Sequence, residues 1–253
     1  YLVNVYTSTS NYDKALKSIE NINNKDINLK TVYQNVAYNY GVELFRKRKY
    51  NSAISAFTKA KKYPIDISIE NQSKFWEAES YLRLKNLKKA ISLYKSYIAT
   101  PSGSSNKLKN DAYYNLAYAN YELKQLDSAI VAFRLYTQSN STNKKKMADA
   151  YLRIGDIYYM TKKDEEAAKY YQEVVNLNVG FEDQALYNMS KSYGYLDKED
   201  LKINKLLEIL TKYKNSKYAL SALFDLAYSY KSVKKDYDKS LEYFNKIINE
   251  HPN

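Results

Sequence analysis

Few residues in this 253-residue sequence have a type and spacing that could carry out acid–base, nucleophilic or metal chemistry. Cysteine is absent and His251 is the one histidine, so neither a disulfide nor a thiolate metal site can form. Asp164, Glu165 and Glu166 open an expected helix, where the positive end of the helix dipole accounts for them without catalysis. No glycine-rich phosphate loop occurs. We therefore expect no enzyme activity, no metal, no cofactor and no small-molecule substrate.

Tyrosine is unusually frequent, at 30 of 253 residues. A tyrosine side chain offers a large contact area with few rotatable bonds, and its hydroxyl adds a hydrogen bond. The sequence therefore favours non-covalent recognition of a partner over catalysis.

A repeat of about 38 residues organises the sequence and must position these rings. A small residue recurs at intervals of 38, 37, 39 and 38 positions, and a large apolar residue follows each one four places later. The pairs are Ala15 and Ile19, Ala53 and Phe57, Ala90 and Tyr94, Ala129 and Phe133, and Ala167 and Tyr171. A fixed period of this size is typical of one supersecondary unit stacked along an axis.

A second set of small residues lies twelve positions before the last four of these alanines. Its members are Gly41, Ala78, Ala117 and Gly155. Small side chains on both helices allow two helix axes to approach closely where they cross. We therefore expect each such pair to mark a helix crossing.

Each repeat has the pattern of two amphipathic helices joined by a short turn. In the segment 34–47, Ala37, Gly41 and Leu44 lie on one face of a helix. Only five glycines and three prolines occur in the chain, which fits long helices and not a β-rich fold. The predicted pairs are 34–47 with 52–62, 71–85 with 87–99, 110–124 with 126–138, 148–162 with 164–177, 183–196 with 199–213, and 220–234 with 237–250.

These residues resemble the tetratricopeptide repeat (TPR) family. The match is best at Tyr151, Ile154, Gly155, Tyr158, Ala167 and Tyr171, and nearly as good over 220–253. The resemblance implies an all-α fold, a right-handed superhelical solenoid of stacked antiparallel helix pairs. It covers a single array over 1–253, with a truncated repeat at 1–30 and repeats at about 34–66, 71–104, 110–143, 148–181, 183–217 and 220–253.

The repeat that follows Phe181 departs from the pattern. Lys202 occupies the small position of its second helix, 35 residues after Ala167, and Ser190 replaces glycine or alanine in its first helix. We expect an irregular or bent seam there.

The resemblance places the first helix of each repeat on the concave side of the array. Residues one position after the packing residues would face this groove, and most are aromatic. We expect them to bind a peptide segment or a domain of another protein; the alternative is that they pack between neighbouring repeats. The predicted partner-binding residues are Tyr38, Phe45, Phe75, Tyr114, Tyr118, Tyr121, Tyr159, Tyr187, Tyr195, Phe224 and Tyr228.

The net charge of +12, from 40 basic and 28 acidic residues, indicates either an acidic partner or solubilising lysines on exposed turns. RNA or another nucleic acid is the main alternative partner. Glu79, Asp111 and Asp156 in the expected groove would repel phosphate, so we expect a protein instead. Self-assembly into a homo-oligomer is a second alternative, because no polar capping helix follows Pro252.

The mean hydropathy is −0.66 and no apolar run reaches 18 residues, so we expect no transmembrane segment in this stretch of chain. The sequence begins at Tyr1 in mid-repeat, which indicates a piece of a longer protein. The longer repeats resemble those of bacterial envelope TPR lipoproteins of the outer-membrane assembly, Tol coordinator, gliding and type IX secretion type. That likeness implies a periplasmic or outer-membrane-associated location, with the cytoplasm as the alternative.

Overall fold

The structure is a computed structural model that describes residues 11–100 and 106–250. Every regular element within those two ranges is helical, and none is a strand. The all-α class expected from the sequence is therefore confirmed. Residues 1–10, 101–105 and 251–253, which include Pro101, His251 and Pro252, lie outside the described residues.

The chain divides into two compact units, residues 1–140 and residues 141–253. The described helices of unit 1 are α1 (Tyr12–Glu20), α2 (Ile27–Arg46), α3 (Tyr50–Ala60), α4 (Ile67–Arg83), α5 (Leu87–Ala99), α6 (Asn106–Glu122) and α7 (Leu126–Thr137). Those of unit 2 are α8 (Lys144–Met160), α9 (Asp164–Leu177), α10 (Glu182–Tyr195), α11 (Glu199–Lys212), α12 (Ala219–Ser229) with a π-helical turn at Tyr230–Lys234, and α13 (Tyr237–Glu250).

Consecutive helices pack against each other within each unit, so the expected pairs form. The even-numbered helices are the first helices of their repeats and the odd-numbered ones are the second helices. The prediction of one array over 1–253 stays a prediction.

Four first helices, α2, α4, α6 and α8, begin four to seven residues earlier than the periodicity predicts. Asp26, Asp66 and Asn143 cap α2, α4 and α8, and a side-chain oxygen of each accepts a hydrogen bond from a backbone N–H two or three residues later, at 2.7–3.2 Å. Such caps stabilise a helix start by about 1 kcal/mol. Ile27 and Ile67, the first residues of α2 and α4, are exposed, and α8 begins with three lysines, so these first turns add little to the buried apolar pattern.

The turns within repeats share one conformation, in which a residue other than glycine is left-handed. In the turn from α4 to α5, Lys85 N–H donates to Leu82 at 3.0 Å and Asn86 N–H donates to Tyr81 at 2.9 Å. This is the Schellman pattern of a helix end, and five of the six turns have it; the sixth follows the π-helical turn. The left-handed residues, with φ from 55° to 60°, are Arg48, Lys85, Lys124, Lys162, Asp197 and Lys235.

The two glycines of the small-residue pattern lie under aromatic rings. A Cβ atom at Gly41 would lie 2.5 Å from the ring of Phe57, and one at Gly155 would lie 2.6 Å from the ring of Tyr171. Real Cβ atoms do not approach carbon this closely, so the helix crossings need glycine at both positions. The crossing role that the sequence predicts for these residues is confirmed.

The seam at Lys202 contains a compensation that the sequence analysis missed. Lys202 Nζ pairs with Glu199 at 3.3 Å, and its Cδ lies 3.4 Å from the position of a Cβ atom on Gly194. The long side chain therefore lies over a glycine one turn after Ser190. The core continues from Leu186 on α10 through α11 to α12. The bend expected at this seam stays a prediction.

Candidate partner-binding surface

Phe75 belongs to the core and offers no surface to a partner. Its side chain is only 3% exposed, and its ring centroid lies 6.1 Å from that of Tyr94 and 5.4 Å from that of Tyr97. The prediction of an accessible ring at Phe75 is wrong, because the second helix of its own repeat covers it.

The half-buried rings of α2 connect this helix to α4. The Tyr38 hydroxyl donates to Gln72 Oε1 at 2.9 Å, and the Phe45 ring lies 5.2 Å from Trp76 in an edge-on arrangement. Both are the inter-repeat contacts that the sequence left open as the alternative to binding. Such aromatic pairs contribute about 0.5–1.5 kcal/mol beyond the area they bury.

The three predicted tyrosines of α6 lie mainly against α7 or under a lysine. The centroids of Tyr114 and Tyr118 are 5.0 Å apart, and Tyr118 is 5.3 Å from Phe133. Tyr121 is half-buried, with Lys124 Nζ 5.7 Å from its ring. Unit 1 therefore uses most of its predicted ladder for packing.

Unit 2 leaves several predicted rings accessible on its first helices α8, α10 and α12. Tyr195, Phe224 and Tyr228 are 72%, 49% and 63% exposed. Tyr159 lies 5.8 Å from Tyr195 between ring centroids. We call Tyr159, Tyr187, Lys191, Tyr195, Phe224 and Tyr228 the unit 2 first-helix surface.

A lysine and a stacked ring hold this surface in place. Lys191 Nζ lies 5.2 Å from the ring of Tyr159 and 5.3 Å from the ring of Tyr187. Tyr187 in turn stacks on Tyr218 at 5.2 Å. Burial together with the adjacent Asp225 carboxylate raises the pKa of Tyr187. A cation placed over rings in this way is attracted by their negative faces, so the rings keep a fixed arrangement.

A half-buried carboxylate on α8 joins three helices. Asp156 Oδ1 accepts hydrogen bonds from the Tyr171 hydroxyl at 3.0 Å and from Asn188 Nδ2 at 3.2 Å, and Oδ2 accepts one from Arg153 at 2.6 Å. Burial raises the pKa of Asp156, although Arg153 opposes the rise. The sequence pattern predicts Asp156 only as a charge in the groove, and Asn188, 32 residues later, is the one sequence signal of the hydrogen bond between repeats.

Glu79 makes the same arrangement in unit 1. It is 5% exposed and accepts hydrogen bonds from the hydroxyl of Tyr94 on α5 and from the amide of Asn115 on α6. Burial is the main cause of the raised pKa of Glu79. Both carboxylates lie one position after the small residue of a first helix, so this position fixes neighbouring repeats rather than facing a partner.

The charge is unevenly divided between the units. Residues 1–140 contain 21 basic and 11 acidic residues, a net charge of +10, whereas residues 141–253 contain 19 and 17, a net charge of +2. Within unit 2, residues 148–200 contain 6 basic and 11 acidic residues, a net charge of −5. The basic residues that would favour nucleic-acid binding therefore lie mainly in unit 1. Nucleic-acid binding stays a prediction.

No group of three or more metal-ligating side chains occurs among the described residues. Nor does any helix in the described part of the chain have the length and apolar character needed to cross a membrane.

Sequence models of the tetratricopeptide repeat match residues 38–106, 111–143, 148–179 and 221–253, together two thirds of the chain. The chain belongs to the tetratricopeptide repeat family. The resemblance seen in the sequence is thereby confirmed, while the envelope lipoprotein type stays a prediction. A comparison with curated proteins gives no match.

Solved structures of other TPR proteins share the fold of this TPR chain. The C-terminal part of a TPR repeat-containing protein from Cytophaga hutchinsonii has a TM-score of 0.67 at 14% identity, covering 100% of this chain and 95% of that one. MamA has a TM-score of 0.59 at 21% identity, covering 72% and 92%. YrrB, a TPR protein with an unusual peptide-binding site, has a TM-score of 0.57 at 16% identity, covering 77% and 89%.

Proposed function

We propose that this TPR chain is a non-enzymatic scaffold that binds a peptide segment or a domain of a partner protein through the unit 2 first-helix surface. The observation that carries the proposal is the exposure of Tyr195, Phe224 and Tyr228 on one set of first helices. Apolar and aromatic groups exposed together, unlike single exposed ones, mark interaction sites. Membership of the TPR family supports the broader role of a protein-interaction scaffold.

The arrangement of the surface suits tight contact with a partner. Tyr159 and Tyr187 are held by Lys191 and by neighbouring rings, so little side-chain entropy remains to be lost on binding. Tyrosine is also among the residues that contribute most at protein interfaces. The half-buried rings thus form a fixed base, and the exposed rings provide the new contact area.

The test is selection of peptides from a random library displayed against the whole chain. We expect the selected peptides to lose about tenfold to a hundredfold in affinity for the double variant Tyr195→Ala, Tyr228→Ala, since two interface rings are removed. Tyr237→Ala is the matched control, because Tyr237 is 63% exposed but lies on the second helix α13.

Circular dichroism must show the same helicity in all three proteins. Selected peptides that bind the double variant as tightly as the wild type would show that this surface is not the binding site. Failure to select any peptide would count against the scaffold function itself.

We also propose that the chain is part of a larger bacterial envelope or secretion-related protein, located in the periplasm or at the outer membrane. The support is the likeness of its long repeats to those of envelope TPR lipoproteins. An antibody against the chain would detect the protein in the envelope fraction of the native cells; detection only in the cytoplasmic fraction would contradict the proposal.

Self-association is a second candidate function, favoured by an exposed apolar stripe on α13. Leu241 and Ile248 are 60% and 65% exposed, whereas Ile203, the residue of α11 that corresponds to Leu241, is 6% exposed under α12. Sedimentation at several concentrations tests this candidate. If the stripe mediates dimers, Leu241→Lys with Ile248→Lys gives monomers at concentrations where the wild type associates. A wild type that stays monomeric throughout removes the candidate.

A further inference from the structure

A cavity opens beside Tyr159 and Tyr195, two residues of the unit 2 first-helix surface. It has a volume of about 530 Å³ and is lined by Tyr159, Met160, Lys162, Asp164 and Tyr195. Met160 and Tyr195 are 49% and 72% exposed, so an approaching side chain has access to its walls. The planes of the Tyr159 and Tyr195 rings are inclined at 59°, with their centroids 5.8 Å apart.

Asp164 is the acidic group of this cavity, and it has no cation of its own. None of the ion pairs among the described residues includes Asp164, whereas its neighbour Glu165 pairs with Lys198 at 3.0 Å. The Ser192 hydroxyl lies nearby, but Asp164 Oδ1 and Ser192 Oγ make no hydrogen bond of good geometry. The start of α9 provides only a partial positive charge. A cation entering the cavity would therefore find an unpaired carboxylate.

Tyrosine rings at this place already accept an ammonium group. The ammonium group of Lys191, a residue of the chain itself, lies 5.2 Å from the centre of the Tyr159 ring. A second cation at the Tyr159–Tyr195 pair would be attracted to the ring faces in the same way. This attraction is strongest where little water lies between the cation and the ring. The methylenes of a lysine or arginine would lie along the same rings.

The helices around the cavity are less basic than the chain as a whole. Residues 144–195, which span α8 to α10, contain 8 basic and 8 acidic residues, whereas the net charge of the chain is +12. Lys162 is the one cation in the lining and also takes part in none of the described ion pairs. It is exposed and has a left-handed backbone conformation, and its positive charge repels an incoming cation.

We propose that this cavity receives a lysine or arginine side chain of the bound partner protein, with Asp164 as its counter-ion and the rings of Tyr159 and Tyr195 as its walls. The inference rests on the proposed function, and it specifies the chemistry of the partner. The cavity would bind a basic group of the partner, whereas the basic unit 1 would favour an acidic group.

The test uses peptides selected on the whole chain and their variants with norleucine in place of each basic residue. Norleucine keeps the length of the lysine chain without its charge. We expect one basic residue whose replacement weakens binding to the wild type by about tenfold or more, since a charge-assisted contact and a ring contact are lost together. The same replacement should weaken binding to Asp164→Asn by clearly less, because the counter-ion is then already absent and only the ring contact is lost.

Asp238→Asn is the matched control, because Asp238 also lies in the first turn of a unit 2 helix and is exposed. Lys162→Met should strengthen binding by removing this repelling positive charge. If Asp164→Asn does not fold, Tyr195→Leu replaces it, since a side chain that is 72% exposed tolerates substitution.

The outcomes separate this inference from the function on which it rests. Peptides that bind through the Tyr195 and Tyr228 surface but show no basic residue coupled to Asp164 overturn the inference and leave the scaffold function standing. No selected peptides at all would overturn the scaffold function. A norleucine effect of equal size in wild type and Asp164→Asn would place the basic residue elsewhere.

Discussion

Glu79 and Asp156 show how single residues in this TPR chain connect repeats. Each accepts one hydrogen bond from a tyrosine of its own repeat and one from an asparagine of the next first helix. Burial raises the pKa of both carboxyl groups, so each is costly to ionise and the hydrogen bonds hold it in place at an electrostatic cost. The position serves packing and order between repeats rather than contact with a partner.

The raised pKa of Glu79 makes its contribution to stability dependent on pH. Because burial raises the folded pKa above the unfolded one, the folded state binds the proton more tightly. Its contribution is therefore greatest below the unfolded pKa and declines as pH rises through the folded pKa. We expect the stability of Glu79→Gln relative to the wild type to increase from pH 4 to pH 8, as measured by urea unfolding at each pH.

The matched control is Glu165→Gln, because Glu165 is exposed and its pair with Lys198 lowers its pKa. Its difference from the wild type should change with pH in the opposite direction. A difference for Glu79→Gln that does not vary with pH would show that Glu79 has the same pKa in both states.

The turns between paired helices show what the elements tolerate. Five of the six left-handed turn residues are Lys, Arg or Asp in Schellman turns, where glycine is the residue without strain. The left-handed conformation costs a residue with a Cβ atom about 1 kcal/mol. The helices on either side maintain the turn in spite of this cost, because the turn closes a pair whose buried faces must meet.

Arg48→Gly should therefore stabilise the chain by about 0.5–1 kcal/mol, the relief of strain being reduced by the greater freedom of glycine in the unfolded state. Arg48 has φ 59° and is exposed, so its side chain contributes little else. Lys95→Gly, in the exposed middle of α5, is the control and should destabilise by about 1 kcal/mol. Denaturant unfolding measures both, and equal destabilisation by the two variants would contradict the assignment of strain.

At the scale of the whole molecule, the repeat period predicted the architecture well because packing itself is periodic. Gly41 and Gly155 had to be small for the crossing of helices, and that requirement is visible in one sequence. The helix starts at Asp66 and Asn143 were missed, since a cap is a local hydrogen bond that leaves no apolar pattern.

The candidate site was predictable only in part. Register along a first helix indicates which residues share a face, but it does not indicate how far the other helices cover that face. Phe75 and Phe224 occupy the same position of their repeats, and yet they are 3% and 49% exposed. The difference arises from the partners of each ring in three dimensions, which a helical period does not contain. Asp164 was likewise assigned to the helix dipole, and only the cavity beside it indicates a further role.

Trp76 gives the molecule a spectroscopic asymmetry. It is the one tryptophan of the chain and packs in unit 1, with its ring 5.2 Å from Phe45 and 5.3 Å from Phe75. Indole fluorescence during unfolding therefore follows the loss of the α2–α4 contact, while far-ultraviolet circular dichroism averages over the helices of both units. Comparing the two unfolding curves therefore tests cooperativity without any added label. Curves that coincide mean that the helices unfold together, and curves that separate give the order in which the parts of the chain unfold.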